Sequence, residues 1–286
     1  MSTKKTEVQP VLHHYQIADG VVAFSSTRQG GVSEGSYAAF NVNYYCGDHP
    51  AHIAENKQRL CKQLGIDESH LVYPHQTHQT EVRVIDEAFL SLSDEDRQPL
   101  LEGIDAVMTN LQGVCIAVST ADCIPVLLYD EAHHAIAAVH AGWRGTVARI
   151  VEKAVAAMQH TYQTNPHQLK AVIGPGISLK NFEVGDEVYE EFEKNDFAMS
   201  QIAARYPKNP QAAQSMVHSK SSNCEISWHL NLPRCNQMQL EGEGVQTENI
   251  HMSNICTYDH VDTFFSARRL GINSGRILTG ILMLNS

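Results

Sequence analysis

Residues 114–158 read VCIAVSTADCIPVLLYDEAHHAIAAVHAGWRGTVARIVEKAVAAM, and this stretch decides the fold. It contains two dense apolar runs, Val114–Val118 and Ile124–Tyr129, and then a third extended stretch, Ala135–His140. Short continuous apolar runs predict strands that are covered on both faces. From Thr146 to about Met158 apolar residues recur at intervals of three and four, which predicts a helix lying on the sheet.

Outward from this stretch, predicted strands and helices mix without strict alternation. Further extended segments are expected at Val21–Thr27, Leu71–Tyr73, Thr80–Ile85, Ala171–Ile173, Ile250–Cys256 and Arg276–Leu284. Helices are expected at Pro50–Leu64 and Val184–Glu193, an acidic surface loop at Ser93–Gln98 and an irregular polar segment at Asp196–Ser222. This order favours an α+β fold with a mixed sheet over a doubly wound parallel sheet. Since no repeat or long linker divides the chain, residues 1–286 are predicted to form a single domain.

The composition excludes several classes of partner. A net charge of -11, without any long run of Lys or Arg, gives no footprint for nucleic acid or an anionic membrane. No apolar leader follows the first charged residues and no run of eighteen apolar residues occurs, so a soluble, cytoplasmic protein is expected. The seven cysteines are odd in number and form no CxxC pair, which favours reduced thiols over a disulfide scaffold or a zinc ribbon.

Candidate metal ligands lie where predicted buried strands meet turns. They are His75 or His78 in Pro74–His78, Cys123 after Thr120–Asp122, and His140 before Ala141–Trp143. Two imidazoles and one thiolate would leave a fourth tetrahedral position open, which is typical of a catalytic zinc site. The spacing does not separate His75 from His78.

An alternative interpretation needs no metal. Cys123 would be a core thiol and His140 a hydrogen-bonded histidine beside a buried strand. The pairs His13-His14 and His133-His134 have polar or loop-like neighbours and are predicted to lie at the surface.

Few basic residues are expected to face a pocket. Arg28 precedes the Gly30-Gly31 turn, whose backbone N–H groups are able to bind an anion, although such turns more often only reverse the chain. Lys57 lies on the early helix. Arg144 and the Arg268-Arg269 pair are equally suited to a structural role, in which they would pair with carboxylates. The chain has no GxxxxGK[ST], GxGxxG or GxSxG motif, so nucleoside-triphosphate, dinucleotide and serine-hydrolase functions have no motif to support them.

A family resemblance extends over nearly the whole chain. The segments that carry it are STRQGGVS (26–33), FNV (40–42), GD (47–48), ENK (55–57), QTH (76–78), DAVMT (105–109), TADCIPVLL (120–128), HAGWRG (140–145), GP (174–175), EVG (183–185), CTY (256–258) and FFSARR (264–269). Through these segments the chain resembles the family formerly called multicopper polyphenol oxidases or laccase-domain proteins, now regarded as purine nucleoside phosphorylases with adenosine deaminase activity.

The resemblance implies a layered α-β-β-α sandwich and one zinc ion held by His78, Cys123 and His140. These three residues would act through a zinc-bound water, and no organic cofactor is implied. The implied activities are phosphorolysis of adenosine, inosine, guanosine and methylthioadenosine, and deamination of adenosine. The family often has Asn-Arg where this chain has Asn56-Lys57, and a cysteine-containing stretch where it has residues 178–182.

These activities need a lowered water pKa for deamination and an anion site for phosphorolysis. We expect Arg28 and Lys57 to contact phosphate and Asn41 to contact the nucleoside. The expected partners are therefore small molecules, namely purine nucleosides and phosphate, with no obligate protein partner.

Three rival functions remain open. A copper-dependent polyphenol oxidase would need roughly ten histidines, many in His-x-His pairs, yet none of the 16 histidines lies two residues from another. A Cys-His-His site would nevertheless bind copper if copper were supplied. A cysteine hydrolase would use Cys123 as nucleophile and His140 as base. The third rival is a zinc-binding scaffold with a protein partner.

Overall fold

The computed structural model describes residues 8–208 and 226–285, and two β-sheets form their centre. The strands are β1 Leu12–Tyr15, β2 Val21–Ser26, β3 Leu71–Val72, β4 Glu81–Val84, β5 Ile104–Thr109, β6 Cys115–Thr120, β7 Ile124–Asp130, β8 Ala135–Ala141, β9 Lys170–Ile173, β10 Glu183–Val184, β11 Ala203–Pro207, β12 Ile226–Leu230, β13 Ile250–Met252 and β14 Ile277–Met283. One sheet has five strands in the order β1-β2-β14-β6-β3, and the other has six in the order β13-β9-β7-β8-β5-β4. A small third sheet has the order β10-β12-β11.

The helices are α1 Pro50–Leu64, α2 Glu87–Leu90, α3 Asp94–Leu100, α4 Trp143–Val147, α5 Ile150–Tyr162, α6 Asp186–Lys194, α7 Met199–Ile202, α8 Leu232–Gly242 and α9 Ala267–Leu270. Helices α1 and α5 lie on the outer faces of the two large sheets. Among the described residues, every helix is too short or too polar to cross a bilayer.

The sheets pack face to face through apolar side chains. Ile116 and Val118 of β6 share one buried cluster with Leu127 of β7 and with Ile136 and Ala138 of β8. Because β7 and β8 also carry helices on their outer side, every residue of both strands is buried. This double burial explains why their sequences are continuously apolar rather than alternating.

The two helical layers complete the sandwich. Val151 and Val155 of α5 pack against Val126 and Leu128 on the outer face of the six-stranded sheet. Leu60 of α1 lies in a separate cluster on the outer face of the five-stranded sheet. The predicted α+β fold with layered α-β-β-α architecture and mixed sheets is therefore confirmed. The assignment of all of residues 1–286 to one domain stays a prediction.

Helix α1 has the predicted bounds because its capping residues define both ends. The side chain of His49 accepts a hydrogen bond from the N–H of Ala51, and Pro50 fills the first turn. At the other end Gly65 adopts a left-handed conformation with φ of 70°. Glycine tolerates this conformation better than other residues, so the helix stops there.

The single helix predicted from Thr146 to Met158 is wrong, because two helices cover this stretch. Between α4 and α5 the chain passes through Arg149, which has a φ of 64°. The Arg149 guanidinium donates to the carbonyl of Asn195 and stacks on Phe197, so tertiary contacts hold this break. Both helices face the same sheet, and their shared apolar stripe concealed the break.

The acidic surface loop predicted at Ser93–Gln98 is also wrong. Residues 94–100 form α3, with the Ser93 side chain accepting from the N–H of Asp96. Acidic residues in a first helical turn interact favourably with the helix dipole. The capping serine and the acidic first turn are therefore features of a helix N-terminus, although the exposed and charged composition of the segment suggested a loop.

The irregular segment predicted at Asp196–Ser222 is partly ordered into regular elements. It contains α7 and β11, and β11 pairs antiparallel with β12. Residues 209–222 of the prediction lie outside the described residues.

Candidate metal centre

The strands bring three distant segments of the chain together at one end of the six-stranded sheet. Cys123 immediately precedes β7, and the pairing of Ile124 with Ala141 sets it beside His140 on β8. His78 lies in the turn before β4, with a φ of 64°. The pairing of β5 with both β4 and β8 links this turn to His140.

The three side chains form one compact group. One ligand atom each from His78, Cys123 and His140 lies within 4.8 Å of the other two. The Sγ atom of Cys123 is 3.8 Å from Nε2 of His78, and the two imidazole rings meet edge to face with centroids 4.9 Å apart. We refer to these three residues as the His-Cys-His cluster.

A buried carboxylate orders the cluster. Asp105, at 0% exposure, accepts a 2.6 Å hydrogen bond from Nδ1 of His140. It also accepts from the backbone N–H groups of Thr77, His78 and Gln79 at 3.2, 3.0 and 2.8 Å. One side chain thus fixes the turn that carries His78 and leaves Nε2 of His140 for a ligand.

Sequence reasoning gave Asp105 no role. Burial alone would raise its pKa, but the hydrogen bond and charge of His140, together with the backbone N–H donors, lower it. The available signal was a lone carboxylate within the otherwise apolar stretch 104–108, because a charge in a buried strand requires partners.

The structure separates His75 from His78, which the spacing did not. His75 lies outside the cluster, where its Nδ1 donates to Glu102 at 2.7 Å and its ring stacks on Tyr45 with centroids 3.8 Å apart. The intervening Gln76 is clamped to Ser119, donating to its carbonyl and accepting from its N–H. These contacts direct the two histidines to different neighbours.

Gly142 permits the close approach of the cluster to α4. A Cβ atom at this position would lie 2.7 Å from Cδ2 of His78 and 3.1 Å from Sγ of Cys123. Both distances are shorter than ordinary contacts, so any larger residue would displace two of the three candidate ligands.

We predict that Gly142→Ala weakens metal binding by about tenfold, because overpacking a tight site costs roughly 1–3 kcal/mol. Competition with a chromophoric chelator would measure the change. Gly242→Ala is the matched control, since a Cβ there meets nothing within 4 Å and alanine is the better helix former. Equal affinity in the two variants would contradict the prediction.

Electrostatics couple the thiol to the neighbouring imidazole. Burial alone would raise the pKa of Cys123, but the charge of His140 and hydrogen bonds from His140 and His78 lower it to about 6. Burial alone would lower the pKa of His140, but Cys123 and Asp105 raise it to about 9. Between these values the metal-free site holds a thiolate beside an imidazolium.

The titration of Cys123 provides a second prediction. In metal-free protein, alkylation of Cys123 should accelerate as pH rises through about 6. An ordinary thiol, with a pKa of about 8.5, should react faster only at higher pH. The buried thiols of Cys61 and Cys235 should react slowly, since burial raises their pKa values to about 11 and 12. Quantitative peptide mass spectrometry would follow each site. A midpoint near 8.5 for Cys123 would disprove the coupling.

The cluster fits a zinc ion. Bond lengths of about 2.3 Å to sulfur and about 2.1 Å to nitrogen, at a tetrahedral angle, imply a sulfur–nitrogen separation of roughly 3.6 Å. The separation of Cys123 Sγ from His78 Nε2 is close to this value, at 3.8 Å. Within the described part of the chain, the group comprises three His, Cys, Asp or Glu ligands. A fourth position would thus remain for water or substrate.

Two cavities border the cluster, and His78 and Cys123 line both. The first, of about 150 Å³, is mainly apolar and is here called the Trp143 cavity; its other lining residues include Trp143, Phe182, Val184, Val188, Leu232 and Arg268. The second, of about 200 Å³, is here called the Arg276 cavity; its other lining residues include Tyr45, Cys46, His75, Ser119, Thr120 and Arg276.

The predicted substrate contacts Arg28, Asn41 and Lys57 are not among the residues that line either cavity. The guanidinium of Arg28 donates to the carbonyls of Ala38 and Val261, and Lys57 lies 4.0 Å from Glu68. The structure shows other partners for these three side chains, and their contact with substrate stays a prediction.

Asn41 has an indirect link to the second cavity. Its side chain is buried, donates to Asp48 and accepts from the backbone N–H of Arg276 at 3.1 Å. Sequence reasoning did not identify Arg276, because nothing in the sequence links position 276 to residues near 120.

The paired arginines predicted near the end of the chain have different surroundings. Arg268 is buried beside Phe182 and donates through Nη1 to the carbonyl of Glu183. Its backbone N–H donates to Asp122 at 2.7 Å, which joins α9 to the residue before Cys123. Arg269 instead donates to the carbonyl of Tyr258. The buried arginine therefore forms part of the wall of the Trp143 cavity.

The molecule is an α-β-β-α sandwich with a His-Cys-His cluster at the ends of its strands. Comparison with known proteins shows the family to which such a protein belongs. The chain belongs to the multi-copper polyphenol oxidoreductase laccase family, whose model matches residues 22–284. The resemblance inferred from the motifs is thus confirmed.

Named relatives connect the family with nucleosides. A purine nucleoside phosphorylase of Bacteroides thetaiotaomicron is 46% identical over 260 residues, covering 91% of this chain and 90% of the relative. Adenosine deaminase RL5, from an unknown prokaryotic organism, is 41% identical over 263 residues, covering 92% and 94%.

A solved structure shares the fold. Hypothetical protein YfiH of Bacillus licheniformis superposes with a TM-score of 0.83 at 24% identity, covering 96% of this chain and 97% of that one.

Proposed function

We propose that this chain is a zinc-dependent enzyme that processes purine nucleosides. It would convert adenosine, inosine, guanosine and methylthioadenosine with phosphate into the free base and the sugar 1-phosphate. It would also convert adenosine and water into inosine and ammonia. The observation that carries the proposal is the His-Cys-His cluster bordered by two cavities, and the names of the two relatives agree with it.

His78, Cys123 and His140 would hold the ion, and Asp105 would orient His140 through its 2.6 Å hydrogen bond. Zinc, when bound, supplies a Lewis acid that lowers the pKa of water to about 7. The apolar and aromatic lining of the Trp143 cavity suits a purine ring, which binds by stacking and by burial of its faces. The base would then lie against the cluster, with its exocyclic group toward the open position.

Zinc is proposed rather than copper for two reasons. In the described residues, one group of three or more His, Cys, Asp or Glu side chains is close enough to hold a metal. A multicopper oxidase needs several such groups. A mixed nitrogen and sulfur donor set also suits zinc, although it would bind copper if copper were supplied. Elemental analysis of protein produced without added copper separates the two metals.

A cysteine hydrolase is the second candidate, favoured by the lowered pKa of the Cys123 thiol beside His140. The two functions differ in what zinc does to the thiol. A coordinated thiolate is protected from alkylation, whereas a nucleophile that needs no metal reacts equally fast with and without zinc. A partner-binding scaffold would show neither activity.

The deciding experiment incubates purified protein with adenosine, inosine, guanosine and methylthioadenosine, each with and without phosphate. Base release and ammonia are followed in untreated, chelator-treated and zinc-restored protein. We expect phosphate-dependent base release and phosphate-independent ammonia release, both lost on chelation and recovered with zinc. Absence of product from all four nucleosides would overturn the proposed function.

A further inference from the structure

The Arg276 cavity has no assigned ligand, although it borders the cluster directly. Its volume of about 200 Å³ is more than ten times the roughly 15 Å³ that one water needs. More of its lining residues are polar than in the Trp143 cavity, and they include Arg276, Gln76, Ser119 and Thr120. A small polar ligand of several atoms therefore fits this cavity better than an aromatic base.

Two hydroxyl groups in the wall lack partners. Ser119 and Thr120 are 7% and 1% exposed, and neither hydroxyl oxygen has a hydrogen-bond partner in the described structure. A buried polar group without a partner costs free energy, so most such groups in folded proteins are satisfied by the protein, water or a ligand. Both hydroxyl oxygens are closed to solvent, so each would have to rotate about χ1 toward the cavity before it could donate to a ligand there.

Arg276 supplies a positive charge that is held in place. The side chain of Asn41 accepts from the backbone N–H of Arg276. The Arg276 guanidinium donates through Nη1 to the carbonyls of Ser274 and Gly275, and through Nη2 to the carbonyl of Ile272. A guanidinium has five N–H donors. Within the described chain these contacts leave two donors, one on Nε and one on Nη2, without an acceptor. Paired arginine donors match the spacing of oxygens on a tetrahedral oxyanion.

Two carboxylates near this wall already have partners. Glu102 accepts from Nδ1 of His75 at 2.7 Å, and its side chain is 58% exposed, so solvent screens its charge. Asp48, whose charge acts on the wall residue Cys46 together with that of Arg276, accepts from Oγ of Ser33 at 2.6 Å and from Nδ2 of Asn41 at 2.9 Å. Arg276 consequently faces the cavity without a competing carboxylate among the residues that line it.

We propose that the Arg276 cavity binds phosphate, with Arg276 as the charged contact and Ser119 and Thr120 as hydroxyl donors. This inference rests on the proposed phosphorolysis and locates its second substrate. With the base in the Trp143 cavity, the sugar would bridge the cluster between the two cavities. A phosphate oxygen forms the bond to the anomeric carbon as the glycosidic C–N bond breaks. The base leaves with the electron pair and takes up a proton.

Arg276→Gln tests the proposal in zinc-loaded protein. With inosine as the other substrate, we expect the KM for phosphate to rise at least about tenfold, the size expected from losing one charged hydrogen bond. The KM for inosine should change much less. Arg276→Lys should recover part of the loss because it retains the charge. Ser119→Ala should raise the KM for phosphate by a smaller factor.

Two further variants serve as comparisons. Arg234→Gln removes a positive charge on α8, where Arg234 pairs with Glu241 at 3.1 Å, and should leave the KM for phosphate unchanged. Lys57→Gln tests the sequence-based alternative. If Lys57→Gln raised the KM for phosphate and Arg276→Gln did not, the present assignment would be overturned.

Calorimetric titration with inorganic phosphate keeps the two proposals distinguishable. If wild-type protein binds phosphate and Arg276→Gln does not, the cavity assignment holds even when no nucleoside is cleaved. If wild-type protein cleaves inosine with phosphate and Arg276→Gln retains the same KM for phosphate, the cavity assignment fails and the function stands. The melting temperature of each variant reports whether the 271–276 loop has merely loosened.

Discussion

Cys123→Ser should lose zinc and, with it, both proposed nucleoside activities. Structural zinc sites with four ligands contribute about 10–16 kcal/mol, so one ligand accounts for roughly 2.5–4 kcal/mol, or about 10²- to 10³-fold in affinity. A serine hydroxyl does not ionise near neutral pH, whereas the pKa of the Cys123 thiol is lowered to about 6. The replacement removes the charged ligand while it nearly preserves the volume.

Zinc affinity, zinc content and both activities should be measured on the same preparation. Phosphorolysis and deamination should fall in proportion to the zinc lost. Cys61→Ala is the control, because Cys61 lies in the separate apolar cluster under α1 and alanine is favourable within a helix. A serine variant that keeps its zinc and loses its activity would instead support a nucleophilic role for Cys123.

Asp105→Asn is expected to lower zinc affinity by about 10–100-fold, as loss of the partner of a metal-binding histidine does in other sites. The carboxylate accepts from His140 and from three backbone N–H groups around His78. An amide offers one acceptor oxygen and two N–H donors, so it cannot satisfy all four groups. His140 and the turn of His78 would therefore lose their fixed positions.

A second buried aspartate provides a closely matched control. Asp130 at the far end of β7 is 3% exposed and accepts from Nδ1 of His133 at 2.8 Å. Asp130→Asn should lower the melting temperature without changing zinc affinity, because that pair lies outside the cluster. If both variants kept full zinc affinity, Asp105 would have only a structural role.

The residue pattern was sufficient to predict an α+β fold with a mixed sheet and the segments that form the cluster, while the α-β-β-α layering came from the family resemblance. Apolar runs as dense as Ile124–Tyr129 occur where both faces of a strand are covered, and the ends of such strands are natural positions for site residues. The assignment of His78 over His75 came from the family resemblance, since spacing alone does not encode the direction of a turn. That direction depends on Asp105, which lies 27 positions after His78.

The substrate side of the site was less predictable. Arg28 and Lys57 were selected because their neighbours in the chain suggested an anion site, yet side-chain partners are set by tertiary contacts. Arg28 donates to the carbonyl of Val261, 233 positions away, and Arg276 reaches the second cavity only through the pairing of β14 with β6. Contacts at such separations leave no local pattern that a sequence can show.

The position of β14 has a consequence for biosynthesis. This strand, Ile277–Met283, lies between β2 and β6 in the middle of its sheet, and its β2 partner lies some 250 residues earlier in the chain. Pairing over such a separation makes for slow folding. A nascent chain has two exposed sheet edges until residues 277–283 leave the ribosome, and such edges promote aggregation. Emergence of β14, rather than translation of the segments that carry the cluster, is therefore the step at which the five-stranded sheet closes.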